Sequence, residues 1–253
     1  MKYTYTTRFN PTISGQLHIG HLYMALVNET EAHKSDGKFV VRVDDNNSYW
    51  VLHMGKNLID QYFNDYQEQI EKFMQVDVWH RESQMPPPTE IIGDHLIFEM
   101  LRPKPWWKVS DINWKSDGKP WVWPYSSFST FEKVIWDFWE GVNLLIRGED
   151  LITESNLYEF FDEQVGLPSP HQVYLPRLMT KNKQDLGHAI ESSGDIKYNL
   201  SKSIGTYTLK SQLDKFSVDE IIEFLRQSCL IDPEGEFLIE NIKWNPAVVG
   251  FKK

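Results

Sequence analysis

Two strand-like segments flank a helical pattern within the first 45 residues, and this arrangement strongly constrains the fold. Residues 3–9, YTYTTRF, and residues 38–45, KFVVRVDD, are rich in threonine, aromatic and β-branched side chains, which favour strands. Between them, HLYMALVNETEAHK places Leu22, Ala25 and Leu26 on one stripe of a helix. A strand, a crossover helix and a second strand form a βαβ unit. The sequence therefore predicts an α/β fold with a parallel sheet.

The α/β pattern continues along the chain. The expected elements are a helix at 56–73, a strand at 76–83, a turn at 86–90, helices at 93–102 and 131–140, a strand at 142–147, a helix at 155–165, a strand at 171–175 and helices from 211. Ligands of such sheets gather where the strands end. That edge is predicted to hold Arg8, the loop at 14–21, Asp44, Asp45 and Arg147.

The predicted organisation is one α/β domain with an insert and an extension. Residues 1–102 and 126–210 would form the domain, and residues 211–253 a short helical extension. The insert at 103–125 contains five tryptophans: Trp106, Trp107, Trp114, Trp121 and Trp123. Packing among its own apolar residues and stacking on nucleotide bases both fit this composition.

Composition excludes several classes of protein. The formal charge of 26 − 36 = −10 gives no global basic surface for nucleic acid, although a local basic groove remains compatible with it. The single cysteine, Cys229, excludes an internal disulfide framework and a four-cysteine zinc site. The sequence begins with no basic, apolar leader and contains no apolar run of membrane-spanning length. We therefore expect a cytoplasmic protein with no membrane partner.

The stretch SGQLHIGH, residues 14–21, places two histidines where the first strand turns into the first helix. Backbone N–H groups are unpaired there and the helix dipole is positive, so the position suits an anion such as a phosphate. Two other interpretations stay open at this point. His18 and His21 are also compatible with a solvated first turn, or with two ligands of a metal, which would need further ligands from elsewhere.

Together with a later loop, this stretch resembles a motif pair of class I aminoacyl-tRNA synthetases. YNLSKSIG, residues 198–205, is similar to their Lys-Met-Ser-Lys-Ser loop, and HIGH stands unchanged near the N-terminus. Four segments resemble the glutamyl and glutaminyl branch of the family: RFNPTISGQLHIGH (8–21), VVRVDDNN (40–47), WEGVNLLIRGEDL (139–151) and GLPSPHQVYLPRL (166–178). The resemblance spans roughly residues 5–225 and implies a Rossmann-like catalytic domain.

The resemblance also implies an activity and a set of site residues. The activity is ATP-dependent activation of glutamate as an aminoacyl-adenylate, with Mg²⁺, and transfer to a tRNA or another nucleic-acid acceptor. Catalytic roles fall on His18, His21 and Lys202. The residues implied for ATP are Gly15, His18, Gly20, His21, Ser201, Lys202 and Ser203. Those implied for the amino acid are Arg8, Asn10, Thr12, Asp44, Ser129 and Arg147. Neither a metal ligand set nor a structural zinc is expected, and the protein is expected to be a monomer.

The chain departs from the family's pattern at several points. Asn199 replaces the first lysine of the Lys-Met-Ser-Lys-Ser loop, and a polar insert containing His188 precedes that loop. By spacing, Ser129 stands where the family has a tyrosine, and Tyr125 is the nearest substitute. The chain ends soon after Lys202, so no anticodon-binding domain is expected, as in glutamyl-queuosine tRNA(Asp) synthetase.

Two other functions therefore stay open. One is a catalytically weak or inactive relative that binds RNA or amino acid, which Asn199 and the altered pocket favour. The other is a nucleotidyl-transferring enzyme that makes a cofactor, against which the arginine of RGED argues. Within the first function, aminoacyl transfer to a non-tRNA acceptor is a further alternative.

Overall fold

The chain falls into two compact units. The computed structural model describes residues 3–93, 125–148, 151, 158, 166–175, 178–180, 189–192, 195–199, 208–229, 231, 235–242 and 248–249. The first unit comprises Met1–Gln84, Leu144–Ile152 and Gln172–Lys253, and the second comprises Met85–Asn143 and Thr153–His171.

A five-stranded sheet organises the first unit. Its strands are β1 (Thr6–Phe9), β2 (Lys38–Val43), β3 (Val78–Arg81), β4 (Leu144–Gly148) and β5 (His171–Leu175), in the order β3-β2-β1-β4-β5. The pairs β1–β2, β1–β4 and β2–β3 are parallel. The predicted α/β class and the Rossmann-like order are confirmed.

Helices cross between these strands. They are α1 (Ile19–Lys34), α2 (Ser48–Met54) and α3 (Lys56–Ile70). The predicted stripe of α1 is confirmed, since Leu22, Ala25 and Leu26 are all buried in the core. Helix α2 was not predicted, because its seven residues are too few to show a helical period; the side chain of Asn47 caps it by accepting from Tyr49 N–H.

The two faces of the sheet carry different side chains. Phe9 on β1 and Ile146 on β4 belong to the apolar core that α1 covers. Neighbouring residues of a strand point to opposite faces, so Arg8, Arg42 and Arg147 share the other face. All three arginines are buried. This face therefore carries one buried arginine on each of β1, β2 and β4.

The C-terminal part of the chain packs on the same core. Helices α6 (Leu209–Leu213) and α7 (Val218–Ser228) bury Leu209, Ile221 and Leu225 there. Ser217 and Glu220 form the capping box that starts α7, as the sequence predicts. A second sheet has the order β7-β8-β6-β9, with strands at Met179–Thr180 (β6), Ala189–Ser192 (β7), Asp195–Asn199 (β8) and Val248–Val249 (β9). The polar insert before Lys202 thus contains a hairpin.

The second unit contains α4 (Pro88–Ile92) and α5 (Tyr125–Glu140). Residues 86–90 were predicted as a turn, but α4 begins at Pro88, because proline is well tolerated in the first helical turn. The predicted helices at 93–102 and 155–165 and the tryptophan-rich insert lie almost wholly outside the described residues. Within the part of the chain that is described, no helix is long and apolar enough to cross a membrane.

Gly37, in the turn between α1 and β2, lies against the backbone that immediately precedes β1. A Cβ atom at this position would lie 1.7 Å from the carbonyl oxygen of Tyr5. We therefore expect Gly37→Ala to lower the free energy of unfolding by about 3 kcal/mol, measured by urea denaturation. Gly55→Ala, at a positive φ of 77° with open space around the added methyl, is the control and should cost only about 1 kcal/mol. Equal losses in the two variants would contradict the close contact.

Candidate active site

The candidate site lies at the carboxyl edge of the sheet, which we define as the ends of β1, β2 and β4. Strand order reverses between β1 and β4, and α/β sheets bind ligands outside such a reversal point. The loop after β1 leads into α1, and the segment after β2 pairs with that loop through an isolated bridge between Thr12 and Asp44. The edge therefore brings together residues from three separate parts of the sequence.

The two histidines of SGQLHIGH form the start of α1. His18 is the N-cap, and its Nδ1 accepts from Gly20 N–H at 3.1 Å. The Nδ1 atom of His21 accepts in return from His18 N–H at 3.1 Å. The ring centroids lie 3.7 Å apart. These contacts explain the spacing of three residues, since it lets each ring satisfy an N–H group that the helix start would leave unpaired.

This arrangement fixes the tautomer of both rings. An Nδ1 that accepts a hydrogen bond carries no proton, so a neutral imidazole must carry its proton on Nε2. Each ring thereby presents an N–H donor on the side away from its own backbone contact. Donors at the positive end of a helix dipole suit a phosphate group, which is the chemistry that the sequence predicts for His18 and His21.

A buried tyrosine holds the loop that precedes the histidines. Gly15 adopts a φ of +145°, a conformation that favours glycine, and its carbonyl accepts from the hydroxyl of Tyr66 on α3 at 2.5 Å. Burial raises the pKa of Tyr66 well above its ordinary value, so the hydroxyl remains a donor. Sequence reasoning missed Tyr66, which lies 51 residues from its partner.

Asp44 is locked against the loop after β1. Its carboxylate accepts from the hydroxyl of Thr12 at 2.9 Å, and its backbone bonds to Pro11 and Ile13 at 3.0 and 2.9 Å. The side chain is buried. Thr12 and Asp44, both predicted to bind the amino acid, are thus in direct contact, and the carboxylate has a fixed direction.

The neighbouring carboxylate, Asp45, has a different environment. It accepts from Arg81 Nε at 2.6 Å and from the backbone and hydroxyl of Ser83 at 2.8 and 2.7 Å. Arg81 also contacts Asp60 at 2.6 Å. Burial alone lowers the pKa of Arg81, but these two carboxylates outweigh it and raise the pKa. Asp45 therefore anchors β2 to β3, whereas Asp44 lies beside the histidine loop.

Asn10 joins the loop to a buried ion pair. Its amide donates to Arg42 O at 2.5 Å and to Glu82 Oε1 at 3.0 Å. Arg42 Nε lies 3.5 Å from the same Glu82 oxygen, and both side chains are almost completely buried. Sequence reasoning missed this pair, although a charged residue inside the apolar strand KFVVRV was an available signal. The role of Asn10 toward an amino acid stays a prediction.

Arg8 and Arg147 lie on adjacent strands of the sheet, and each is 5% exposed. Arg147 Nη2 donates to Gln172 Oε1 at 3.0 Å and to Tyr174 Oη at 2.8 Å. Three further predicted residues, Ser201, Lys202 and Ser203, are not among the described residues. The last, Ser129, lies on α5 in the second unit. Among the described residues, no group of three or more His, Cys, Asp or Glu side chains could hold a metal ion.

The segment that contains the histidine loop is similar in sequence to known proteins. Residues 4–62, which contain β1, α1, β2 and the histidine loop, match the family described as tRNA synthetases class I (E and Q), catalytic domain. The predicted resemblance is confirmed. The chain is 56% identical over 41 residues to a probable cytoplasmic glutamate–tRNA ligase of Schizosaccharomyces pombe, covering 16% of this chain and 6% of that protein. It is 50% identical over 42 residues to glutamate–tRNA ligase 2 of Orientia tsutsugamushi (strain Boryong), covering 17% of this chain and 9% of the relative.

A solved structure extends the similarity of fold to almost the whole chain. The glutamate-tRNA synthetase of Elizabethkingia anophelis superimposes with a TM-score of 0.62 at 12% identity, covering 98% of this chain and 68% of that one. At this identity the similarity concerns the fold alone. The segment that matches the curated relatives covers less than a tenth of their length.

Proposed function

We propose that the protein activates glutamate with ATP and transfers it to a tRNA or another nucleic-acid acceptor. One observation carries the proposal: the anion-directed start of α1, the fixed carboxylate of Asp44 and the buried Arg8 and Arg147 belong to one edge of one sheet. This combination offers separate groups for a phosphate, an ammonium and a carboxylate. In this proposal the protein acts as a cytoplasmic monomer.

The first step is an in-line displacement at phosphorus. A carboxylate oxygen of the amino acid attacks the α-phosphorus of ATP, and the bond to the β-phosphate breaks, so that pyrophosphate leaves with the electron pair. The protein must align the reactants and stabilise the charge on the phosphates. The Nε2–H groups of His18 and His21 would donate to these oxygens, while Gly15 and Gly20 let the nucleotide lie against the backbone. Mg²⁺ would neutralise part of the phosphate charge.

Lys202, Ser201 and Ser203 would complete the phosphate site. Thr208, six residues after Lys202, pairs with His18, and Leu209 N–H donates to Leu17 O at 2.7 Å. Six residues span at most about 20 Å, so the covalent chain keeps Lys202 within about that distance of Thr208. After activation, an acceptor hydroxyl would attack the adenylate carbonyl, and AMP would leave. This transfer completes the proposed reaction.

The amino acid would be held by charge complementarity. Asp44 would bind the α-ammonium, and Arg8 with Arg147 would bind the side-chain carboxylate, since a guanidinium offers a fixed fork of donors to a carboxylate. Asn10 and Thr12 would complete the pocket, and a role for Ser129 toward the amino acid rests on the resemblance alone.

The second candidate is an inactive relative that binds RNA or amino acid, favoured by Asn199 in place of a lysine. Exchange of pyrophosphate into ATP in the presence of each amino acid separates the two.

Glutamate should be preferred over glutamine by about 10²-fold in kcat/KM. An uncharged amide would form weaker hydrogen bonds with the two buried arginines than a carboxylate would. Arg147→Cys should therefore lower glutamate activation far more than ATP binding, as measured by pyrophosphate exchange and nucleotide titration. Arg226→Cys, which removes an arginine from α7, is the control. Equal activation of both amino acids by the wild-type protein, or full glutamate activation by Arg147→Cys, would contradict this pocket.

A further inference from the structure

We propose that Gln172 and Tyr174 are positioning residues that set the preference for an acidic substrate by holding Arg147 through uncharged groups. This inference rests on the proposed function, because it concerns the arginine that would bind the side-chain carboxylate of glutamate. Neither residue was predicted from the sequence. Both lie on β5, two positions apart, and so on the same face of the strand that adjoins β4.

The three side chains form a closed triangle of hydrogen bonds. Arg147 Nη2 donates to Gln172 Oε1 at 3.0 Å and to Tyr174 Oη at 2.8 Å, and the Tyr174 hydroxyl donates to Gln172 Oε1 at 2.7 Å. The guanidinium carbon also lies 5.3 Å from the centroid of the Tyr174 ring. One nitrogen and one face of the guanidinium are therefore fixed, which orients the whole planar group.

The chemical nature of these partners is informative. The hydrogen bonds of arginine to carboxylates are stronger than those to neutral acceptors. A glutamate at position 172 would form an ion pair with Arg147 in nearly the same geometry as the present hydrogen bond to Gln172. An amide and a hydroxyl instead orient the guanidinium without adding a negative charge beside it. A carboxylate arriving with the substrate would then meet an arginine whose charge these two partners have not neutralised. Fixing the fork in advance also reduces the side-chain entropy lost on binding.

Gln172→Glu separates a specificity role from a merely structural one. A structural role would be preserved or strengthened, because the new carboxylate can still accept from Arg147. A specificity role would be damaged, because the new carboxylate competes with the substrate for the guanidinium. We expect KM for glutamate to rise at least about tenfold, with KM for ATP unchanged and the melting temperature equal to or above that of wild type. Gln61→Glu on the exposed face of α3 is the control for the added charge.

Tyr174→Phe provides a second variant that removes one oxygen and keeps the ring. It should raise KM for glutamate about threefold to tenfold and leave kcat and ATP binding within twofold of wild type. Calorimetric titration of wild type and both variants with glutamate gives a readout that does not depend on turnover. Affinity should fall in both variants and stay unchanged in Gln61→Glu.

The outcomes distinguish this inference from the proposed function. If wild type neither binds nor activates glutamate, the proposed function fails. If wild type does both, and Gln172→Glu and Tyr174→Phe bind and activate glutamate within twofold of wild type, the positioning role is wrong while the proposed function stands. A loss in either variant that is confined to glutamate, with ATP unaffected, supports the positioning role.

Discussion

Replacing Glu82 with alanine is expected to lower the free energy of unfolding by about 3–5 kcal/mol, because it removes the carboxylate paired with a fully buried guanidinium. Arg42 has no solvent-exposed surface in its side chain and Glu82 has only 3%. The same carboxylate accepts from Asn10, so the change also loosens the loop that carries Thr12. Urea denaturation followed by circular dichroism measures the loss.

An exposed ion pair supplies the control for this prediction. Glu68 and Lys72 contact each other at 2.9 Å on the surface of the chain, where solvent screens the charges. Glu68→Ala should therefore leave the urea midpoint almost unchanged. The double replacement Arg42→Met with Glu82→Leu should recover most of the stability that Glu82→Ala loses, since it removes both charges together. If Glu82→Ala is no more destabilising than Glu68→Ala, the buried pair does not anchor β2.

His21→Ala and Lys202→Ala should each lower the rate of glutamate activation by about 10²–10³-fold, equivalent to about 3–4 kcal/mol. Both changes remove donors proposed to strengthen their contacts as charge develops on the phosphates. His21→Ala also removes one half of the capping box of α1, which should cost about 1 kcal/mol of stability without unfolding the protein. Single-turnover measurements of adenylate formation at saturating ATP report the chemical step.

His53→Ala is the matched control for the histidine variant. His53 is exposed on α2 and contacts the backbone of Tyr49, so its loss should leave activation within twofold of wild type. If His21→Ala forms the adenylate at the wild-type rate, the histidine loop is not part of the phosphate site. If Lys202→Ala forms the adenylate at the wild-type rate, Lys202 is not part of that site.

Local patterns were sufficient to predict most of the sheet. The threonine and aromatic residues of YTYTTRF and the apolar run KFVVRV predicted β1 and β2, and the stripe of Leu22 and Ala25 predicted α1. Each of these signals lies within one segment of the sequence, because it depends only on which side chains of a single strand or helix are buried. The seven-residue helix α2 is too short to show a helical period, and the hairpin of β7 and β8 was not predicted from the sequence.

The candidate site was predictable only in part, for a related reason. The motif that contains His18 and His21 is contiguous, so its residue types and spacing were visible directly. The residues that orient the site act across long separations: Glu82 contacts Asn10 from 72 positions away, and Tyr174 contacts Arg147 from 27. A pattern within one segment of the sequence contains no information about contacts between residues so far apart. A charged residue within an apolar strand, as at Arg42, is the one signal that would have pointed to a buried partner.

Amino-acid-dependent exchange of pyrophosphate into ATP tests the central proposal most directly. The wild-type protein is assayed with each of the twenty amino acids, with and without bulk tRNA, beside Arg147→Cys and His21→Ala. We predict exchange with glutamate, about a hundredfold weaker exchange with glutamine, and strong loss in both variants. Absence of exchange with every amino acid under both conditions would contradict the proposed activation of glutamate and favour an inactive relative that binds RNA or amino acid.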